Sequence, residues 1–255
     1  MTGPVTIECL DHGAIWRVTI GGSKGNILDR AAMEALQAVF GDAGADANLK
    51  AIVLEGQGQH FSFGASVPEH TADQVAGMLQ RFGTLLVTMV ETAVPVVAAV
   101  RGQCLGGGLE VVSVANRIIA TPDARLGQPE IVLGVFAPYA SVLLPWRIGR
   151  GHAEDLCLSG RSVTGEEALR MGLVDELAPD PAEAALAWAR AHLLPKSASS
   201  VRFAVRAVRA DLRARLATDL PAIERLYLDD LMKTSDANEG LRAFMEKRSA
   251  AWRNA

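Results

Sequence analysis

Cysteine is scarce in this 255-residue chain: Cys9, Cys104 and Cys157 lie far apart and outside any C-x-x-C pair. An odd number at such spacing excludes a disulfide framework and offers no structural zinc pattern, so all three read as reduced core residues. Aromatic residues make up only 5%, and positive charge is not in excess, because 25 Lys and Arg face 29 Asp and Glu for a net charge of −4. That balance excludes the basic footprint of a nucleic-acid binder, and no nucleic-acid partner is expected. Long apolar runs are missing too, since the longest, Val94 to Val100, is too short to span a bilayer. The opening MTGPVTIECLDHG carries neither the basic nor the apolar stretch of an export signal, so no membrane partner is expected and the cytoplasm is the expected location. What is present is ordinary for a globular protein: 49% hydrophobic and 21% charged residues, over a length that fits one large domain or a core with an appendage.

Val5 to Leu10 and Ala14 to Ile20 flank the turn-type cluster Asp11-His12-Gly13, which predicts an opening β-hairpin. Ala32, Leu36, Val39 and Phe40 then recur at helical spacing behind Asp29, an N-cap candidate. Lys50 to Glu55, stopped by Gly56 and Gly58, reads as a strand buried on both faces. A helix over about 71–92 leads through Pro95 into a second buried strand, Val96 to Val100, and the glycine cluster Gly102 to Gly108. Helical pattern resumes over 109–115 and β pattern over 117–120. The alternation predicts an α/β unit with a parallel sheet over residues 1–195. After Pro195 only helical patterns remain, over 199–216, 220–232 and 237–252, so 196–255 reads as a C-terminal helical region. Its apolar faces, Val201, Val205 and Val208 among them, are expected to pack on the chain's own core and on a neighbouring subunit. The six cations between Lys196 and Arg215, set against Asp211 alone, read as a solvated helix face.

Chemistry has three candidate places. His60-Phe-Ser-Phe-Gly-Ala-Ser-Val67 follows a buried strand, at the carboxyl end where open α/β sheets bind ligands. It is a poor nucleophile elbow, because Pro68 stands where the last glycine belongs, and the plain alternative to a ligand-binding loop is a surface loop. In Arg101-Gly-Gln-Cys-Leu-Gly-Gly-Gly-Leu-Glu110, three consecutive glycines end a β-run and open a helix, exposing unpaired N–H groups. The spacing matches neither G-x-x-x-x-G-K-[ST] nor G-x-G-x-x-G, so the donors suit an oxyanion, or the glycines serve only tight packing. Gly127-Gln-Pro-Glu130 adds a second carboxylate twenty positions after Glu110. Two carboxylates in one apolar pocket can divide acid and base work, because repulsion and desolvation separate their pKa values. His12, His60, His70, His152 and His192 lack metal-ligand spacing and Cys104 lacks a base partner, so neither a metal site nor a thiol nucleophile is expected.

Together these segments resemble the crotonase family, also called the enoyl-CoA hydratase/isomerase superfamily. Lys24-Gly-Asn-Ile-Leu28 is similar to the family's P-K-x-N-A-L, His60 to Val67 to its F-x-A-G-A-D-I, and Gly102 to Glu110 to its G-x-x-x-G-G-G-x-E. Gln128-Pro129-Glu130 with Leu133-Gly134 matches next, followed by ALRMGLVD at 168–175 and Phe244-Met-Glu-Lys-Arg248, so the resemblance runs the whole length. It implies a crotonase fold, a spiral of repeated ββα turns with a C-terminal all-helical trimerisation region, assembled as a homotrimer or a dimer of trimers. It further implies an acyl-CoA substrate, no metal and no separate cofactor, coenzyme A being part of the substrate. Position by position, the resemblance implies Ala65 and Gly107 as oxyanion-hole donors and Glu110 and Glu130 as hydratase carboxylates. Lys24, Gly25, Ser66 and Val67 are implied to line the CoA path, with Phe244 and Lys247 reaching a neighbour's adenine or phosphate.

The chain departs from the family pattern at two places. Ser66 and Pro68 stand where members carry Asp and Lys, and Ala137-Pro138-Tyr139 puts bulk where they carry glycine. FSFGASVPEH and LGVFAPYAS are most similar to the branch that hydrates a cyclic conjugated dienoyl thioester, cyclohexa-1,5-diene-1-carbonyl-CoA. On that reading Phe61, Phe63, Phe136 and Tyr139 form a flat apolar slot for the acyl ring, the plain alternative being ordinary core aromatics. The rivals are a general enoyl-CoA hydratase or isomerase of the same fold and an RNA-binding homologue, the last motivated only by the Arg-rich 196–215 stretch.

Overall fold

A computed structural model describes residues 3–255. The hairpin forms where the sequence predicts it: β1 (Val5–Leu10) and β2 (Ile15–Ile20) pair antiparallel about a 3₁₀ turn in which Asp11 and His12 adopt left-handed backbone. Asp29 caps α1 (Arg30–Ala45), its carboxylate accepting from the Ala32 N–H at 2.9 Å and so satisfying one of the donors a helix start leaves open. β3 (Ala51–Gly56), α2 (Val75–Glu91) and β4 (Val96–Val100) make a βαβ crossover. Next come β5 (Gln103–Leu105), α3 (Gly107–Ser113), β6 (Arg117–Ala120), β7 (Arg125–Gly127), α4 (Pro138–Ile148), α5 (Arg150–Ser159) and β8 (Ser162–Thr164). α6 (Gly165–Arg170), β9 (Glu176–Leu177) and α7 (Pro181–His192) precede the strand-free stretch of α8 (Ala198–Val208), α9 (Ala210–Arg225) and α10 (Ser235–Met245).

Six strands in the order β1-β2-β3-β4-β6-β9 form one sheet, parallel beyond the hairpin, and β5, β7 and β8 form a small second sheet. β3 and β4 are near-continuous apolar runs because helices cover both faces. Their residues part alternately. Ile52, Leu54, Val96 and Ala98 join the main core with Met33 of α1 and Phe82 of α2, whereas Ala51, Val53, Val97 and Ala99 join a smaller core with Ala182 and Ala185 of α7. Leu212, Leu216 and Leu220 of α9 belong to the main core. Among the described residues no helix is long and apolar enough to cross a membrane.

Three expectations are corrected. Arg202 and Arg209 are buried rather than part of a solvated face. The Arg202 guanidinium donates to the carbonyls of Ala43, Gly44 and Leu49 at 3.2, 3.3 and 3.2 Å, and to that of Asp46, around the end of α1; Arg209 donates to the Val114 carbonyl at the end of α3 at 2.5 Å. Cations at these positions satisfy carbonyls that a helix end leaves without partners. The last helix stops at Met245 because Lys247 takes a left-handed φ of +55° and the Arg248 N–H turns back to the Ala243 carbonyl at 3.0 Å. Cys9 is exposed, since β1 is an edge strand with an open face.

The loop between β3 and α2 is tied down by one amide. Asn26, itself buried and left-handed at φ +52°, brings its Nδ2 to the carbonyls of Gln57, His60 and Phe61 at 3.0, 2.8 and 3.1 Å. The Ser62 hydroxyl donates to the Asn26 carbonyl at 2.8 Å and accepts from the Gly64 N–H at 3.0 Å. The next residues are pinned on both sides, by Leu28 N–H on the Gly64 carbonyl at 2.9 Å and by Leu105 N–H on the Ser62 carbonyl at 3.0 Å. Asn26→Asp keeps the shape but turns the donor group into an acceptor facing three carbonyls. It should therefore destabilise the fold by about 2–4 kcal/mol, read as a lower urea midpoint at unchanged m-value. A midpoint equal to the parent's would show that this amide does not hold the loop.

Candidate functional site

The site begins where β5 ends. Gly106 takes φ +50°, a conformation that favours glycine, and a Cβ there would lie 2.5 Å from Glu130 Oε1. α3 then starts at Gly107, whose N–H is one of the donors that a helix start leaves open. A Cβ on Gly107 would stand 3.1 Å from the Ala65 nitrogen, so the two backbone N–H groups are neighbours. Neither finds an acceptor among the described residues. The pinned loop and the glycine turn thus bring two unpartnered donors together.

Glu110, the fourth residue of α3, is only 4% exposed. Its Oε1 accepts from the N–H groups of Tyr139 and Ala140 at 3.0 and 2.8 Å, closing the first turn of α4, where Pro138 supplies no donor. Its Oε2 takes no bond from the described residues. Burial pushes the Glu110 carboxyl above the ordinary glutamate range, and the two amides pull it back in part. Glu130 sits in the 3₁₀ turn Pro129–Leu133. Burial raises its pKa, and the charge on Glu110 raises it further. The buried Gln128 amide lies 3.2 and 3.0 Å from the two Glu130 oxygens. Turned one way it donates to the carboxylate, and turned the other way it accepts from the protonated acid.

Two adjoining cavities lie beside Glu130 and the Ala65 loop, sharing Phe63, Ala65, Val67, Pro129 and Leu133 as walls. The inner one, of about 60 Å³, is lined by Gly106, Glu130, Val135 and His70. The outer one, of about 820 Å³, brings together Lys24, Gly25, Ser66, Val67 and Phe244 of the expected residues. Phe244 therefore meets the cavity of its own chain. Glu110, Gly107, Lys247, Phe136 and Tyr139 are not among the walls of either cavity; Glu110 and Gly107 lie on α3 directly behind the wall residue Gly106. Tyr139 is 1% exposed and stacks on Phe82, Phe136 packs edge-on against Tyr227, and Phe61 is core, so of the four aromatics only Phe63 faces the cavities. His70 is the residue that sequence reasoning missed. Its Nδ1 lies 2.9 Å from the Ser66 carbonyl, which can only accept, and burial lowers its pKa, so the neutral ring carries its proton on Nδ1. Its spacing from Ser66 was the one available signal. Among the described residues no three His, Cys, Asp or Glu side chains gather as metal ligands. Burial also pushes the Cys104 thiol up, which leaves it inert.

Comparison with known proteins shows the family of the chain. The model of the family described as enoyl-CoA hydratase/isomerase matches residues 11–255. A Thauera aromatica protein named cyclohexa-1,5-dienecarbonyl-CoA hydratase is 49% identical over 253 residues, covering 99% of this chain and 98% of its own. The crystal structure of an enoyl-CoA hydratase from Mycobacterium avium subsp. paratuberculosis superposes with a TM-score of 0.85 at 24% identity over 99% of both chains, which shows the shared fold. Pseudomonas aeruginosa DspI gives 0.78 at 29% identity, over 99% of this chain and 97% of that one. The chain therefore belongs to the enoyl-CoA hydratase/isomerase family, the crotonases, and is an enzyme of that family.

Proposed function

We propose that the chain adds water to a conjugated enoyl- or dienoyl-CoA thioester, with cyclohexa-1,5-diene-1-carbonyl-CoA as the favoured substrate. The observation that carries this reading is two carboxylates raised by desolvation, Glu110 buried and Glu130 half-buried on the cavity wall, set near two unpartnered backbone donors. The Ala65 and Gly107 N–H groups bind the thioester oxygen, on which charge grows as the conjugated system accepts an oxygen nucleophile. Glu110, whose charge two amides favour, takes a proton from water as the water oxygen bonds to the electrophilic carbon. Glu130, pushed up by burial and by Glu110, keeps its proton and delivers it to the α or vinylogous carbon. One water is added and the pair ends with its proton count unchanged. Lys24, Gly25, Ser66, Val67 and Phe244 hold the CoA portion along the outer cavity, and no separate cofactor enters. The ring preference is supported by the named activity of the Thauera relative. Phe63 is the aromatic wall available to a planar ring.

A panel of thioesters tests the substrate. The cyclic dienoyl-CoA should be hydrated with a kcat/KM about 10- to 200-fold above that of crotonyl-CoA, the scale of apolar pocket discrimination. Equal values would make the chain a general enoyl-CoA hydratase, and a conjugation band that only moves would make it an isomerase. Glu110→Gln and Glu130→Gln should each lower kcat about 10²-fold or more with the fold intact, and a near-normal rate in either would remove that residue from the mechanism. The pH profile of kcat should be bell-shaped. It rises as the base ionises and falls as the acid is lost, and both apparent pKa values should lie above the ordinary glutamate value near 4.3, because both carboxyls are raised in the fold.

The reading includes assembly as a homotrimer or a dimer of trimers. Phe203 at 67% and Val208 at 80% exposure leave apolar surface on α8 that one chain does not cover. Light scattering should give a mass of three or six chains, and a stable active monomer at micromolar concentration would defeat that part.

A further inference from the structure

Tyr139 joins three parts of the molecule at one residue. Its N–H is one of the two that hold Glu110 Oε1. Its ring stacks on Phe82 with centroids 5.1 Å apart and 23° between planes, and a Cβ on Gly107 would meet that same Phe82 ring at 3.1 Å. Its hydroxyl lies 2.5 Å from the Leu79 carbonyl of α2 and 3.0 Å from Glu224 Oε1 of α9. Two helices thus grip, through one side chain, the residue whose amide holds Glu110. A Cβ at Gly83 would sit 2.7 Å from Glu224 Oε1 and 3.3 Å from the Tyr139 hydroxyl, so a side chain there would push the carboxyl from its present place beside the phenol. Among the described residues that phenol is the one hydrogen-bond partner of Glu224. A partly buried carboxyl without a cation is an unfavourable way to hold a helix in place when an apolar side chain would serve.

We propose that Glu224 is a positioning residue for the hydration: through the Tyr139 hydroxyl it fixes the first turn of α4, and with it the direction in which Glu110 presents its second oxygen to the substrate. The inference rests on the role given above to Glu110. Tyr139 stands at the second position of α4, directly after the proline that starts the helix, so a shift of its side chain moves the amides of Tyr139 and Ala140 together. Active-site groups must be held to about 0.5 Å, and a misplacement of about 1 Å lowers the rate severely. The CoA-side walls Lys24, Gly25, Ser66 and Val67 come from other segments, so substrate binding is spared. Tyr139 itself then acts through its neighbours rather than as a wall of the acyl pocket.

The test compares Glu224→Ala, Glu224→Gln and Tyr139→Phe in the full-length protein. Glu224→Ala should lower kcat about tenfold with KM within about twofold, and Glu224→Gln, which keeps a partner for the phenol, should restore most of the loss. Tyr139→Phe, which also loses the Leu79 bond, should cost at least as much as Glu224→Ala, and the double variant should be no worse than Tyr139→Phe, because that change already cuts the link to Glu224. The ascending limb of the kcat–pH profile should move to higher pH by about half a unit in Glu224→Ala, since loosened amides hold the Glu110 charge less well. A residue that merely packs the fold would not move it. The other titratable groups that feel Glu110's charge are Glu130, Tyr139, Cys157 and Tyr227. Should Tyr139→Phe fail to fold, the two Glu224 variants decide alone. Wild-type kcat and pH profile in Glu224→Ala, alongside an inactive Glu110→Gln, would overturn this inference and leave the hydratase reading standing. An active Glu110→Gln would overturn both.

Discussion

Glu110 and the start of α4 each solve the other's problem. A helix that begins inside the protein leaves its first N–H groups without partners, and a carboxylate drawn from water needs donors. One oxygen of Glu110 takes two of those N–H groups, and in doing so the side chain is aimed and its charge made tolerable. The other oxygen takes no bond from the described residues. Much of the surrounding structure maintains this arrangement: three glycines let α3 begin close enough, Pro138 opens α4 without adding a donor, and Tyr139 secures the turn from behind.

The second half of the site depends on backbone rather than side chains. Ala65 contributes only its N–H, so what matters is where the loop places that one atom. Asn26 and Ser62 fix the loop internally, Leu28 and Leu105 fix its two edges, and the Gly64 turn brings it against Gly107. No single element of regular structure does this. A short glycine-containing segment becomes rigid because most of its polar groups are satisfied, while the donor left over faces a cavity.

The strands and the early helices were readable because their signals are local. Asp29 sits directly before the helix it caps, and β3 and β4 are apolar runs long enough for one crossing of the sheet. The segments that converge on the site were readable for a related reason: three consecutive glycines and a proline beside a glutamate narrow what the backbone can do. What stayed hidden depends on partners far along the chain. Arg202 meets carbonyls more than 150 residues away, and nothing around it distinguishes it from its exposed neighbour Arg206. Tyr139 looked like bulk in a pocket, yet its hydroxyl finds Leu79 and Glu224, 60 and 85 positions distant. His70 gave no signal beyond its four-residue spacing from Ser66, because a histidine beside a loop has many uses, and only the fold decides that it faces the inner cavity.

α10 is packed so tightly on the turn that carries Glu130 that a Cβ at Gly240 would collide with the Leu133 carbonyl, and Phe244 of the same helix walls the outer cavity. A segment reached about a hundred residues after the second carboxylate is therefore the one that closes the chamber. During synthesis the sheet, the glycine turn and both carboxylates all emerge before the piece that shields them from water. A nascent chain paused ahead of α10 would leave Glu130 and the apolar walls around it open to water. Contacts of such long sequence separation form late, after the entropy of closing the loop has been overcome. The order of assembly thus keeps the chamber open until nearly the whole polypeptide is present, and this is the interval in which the protein most needs protection from aggregation.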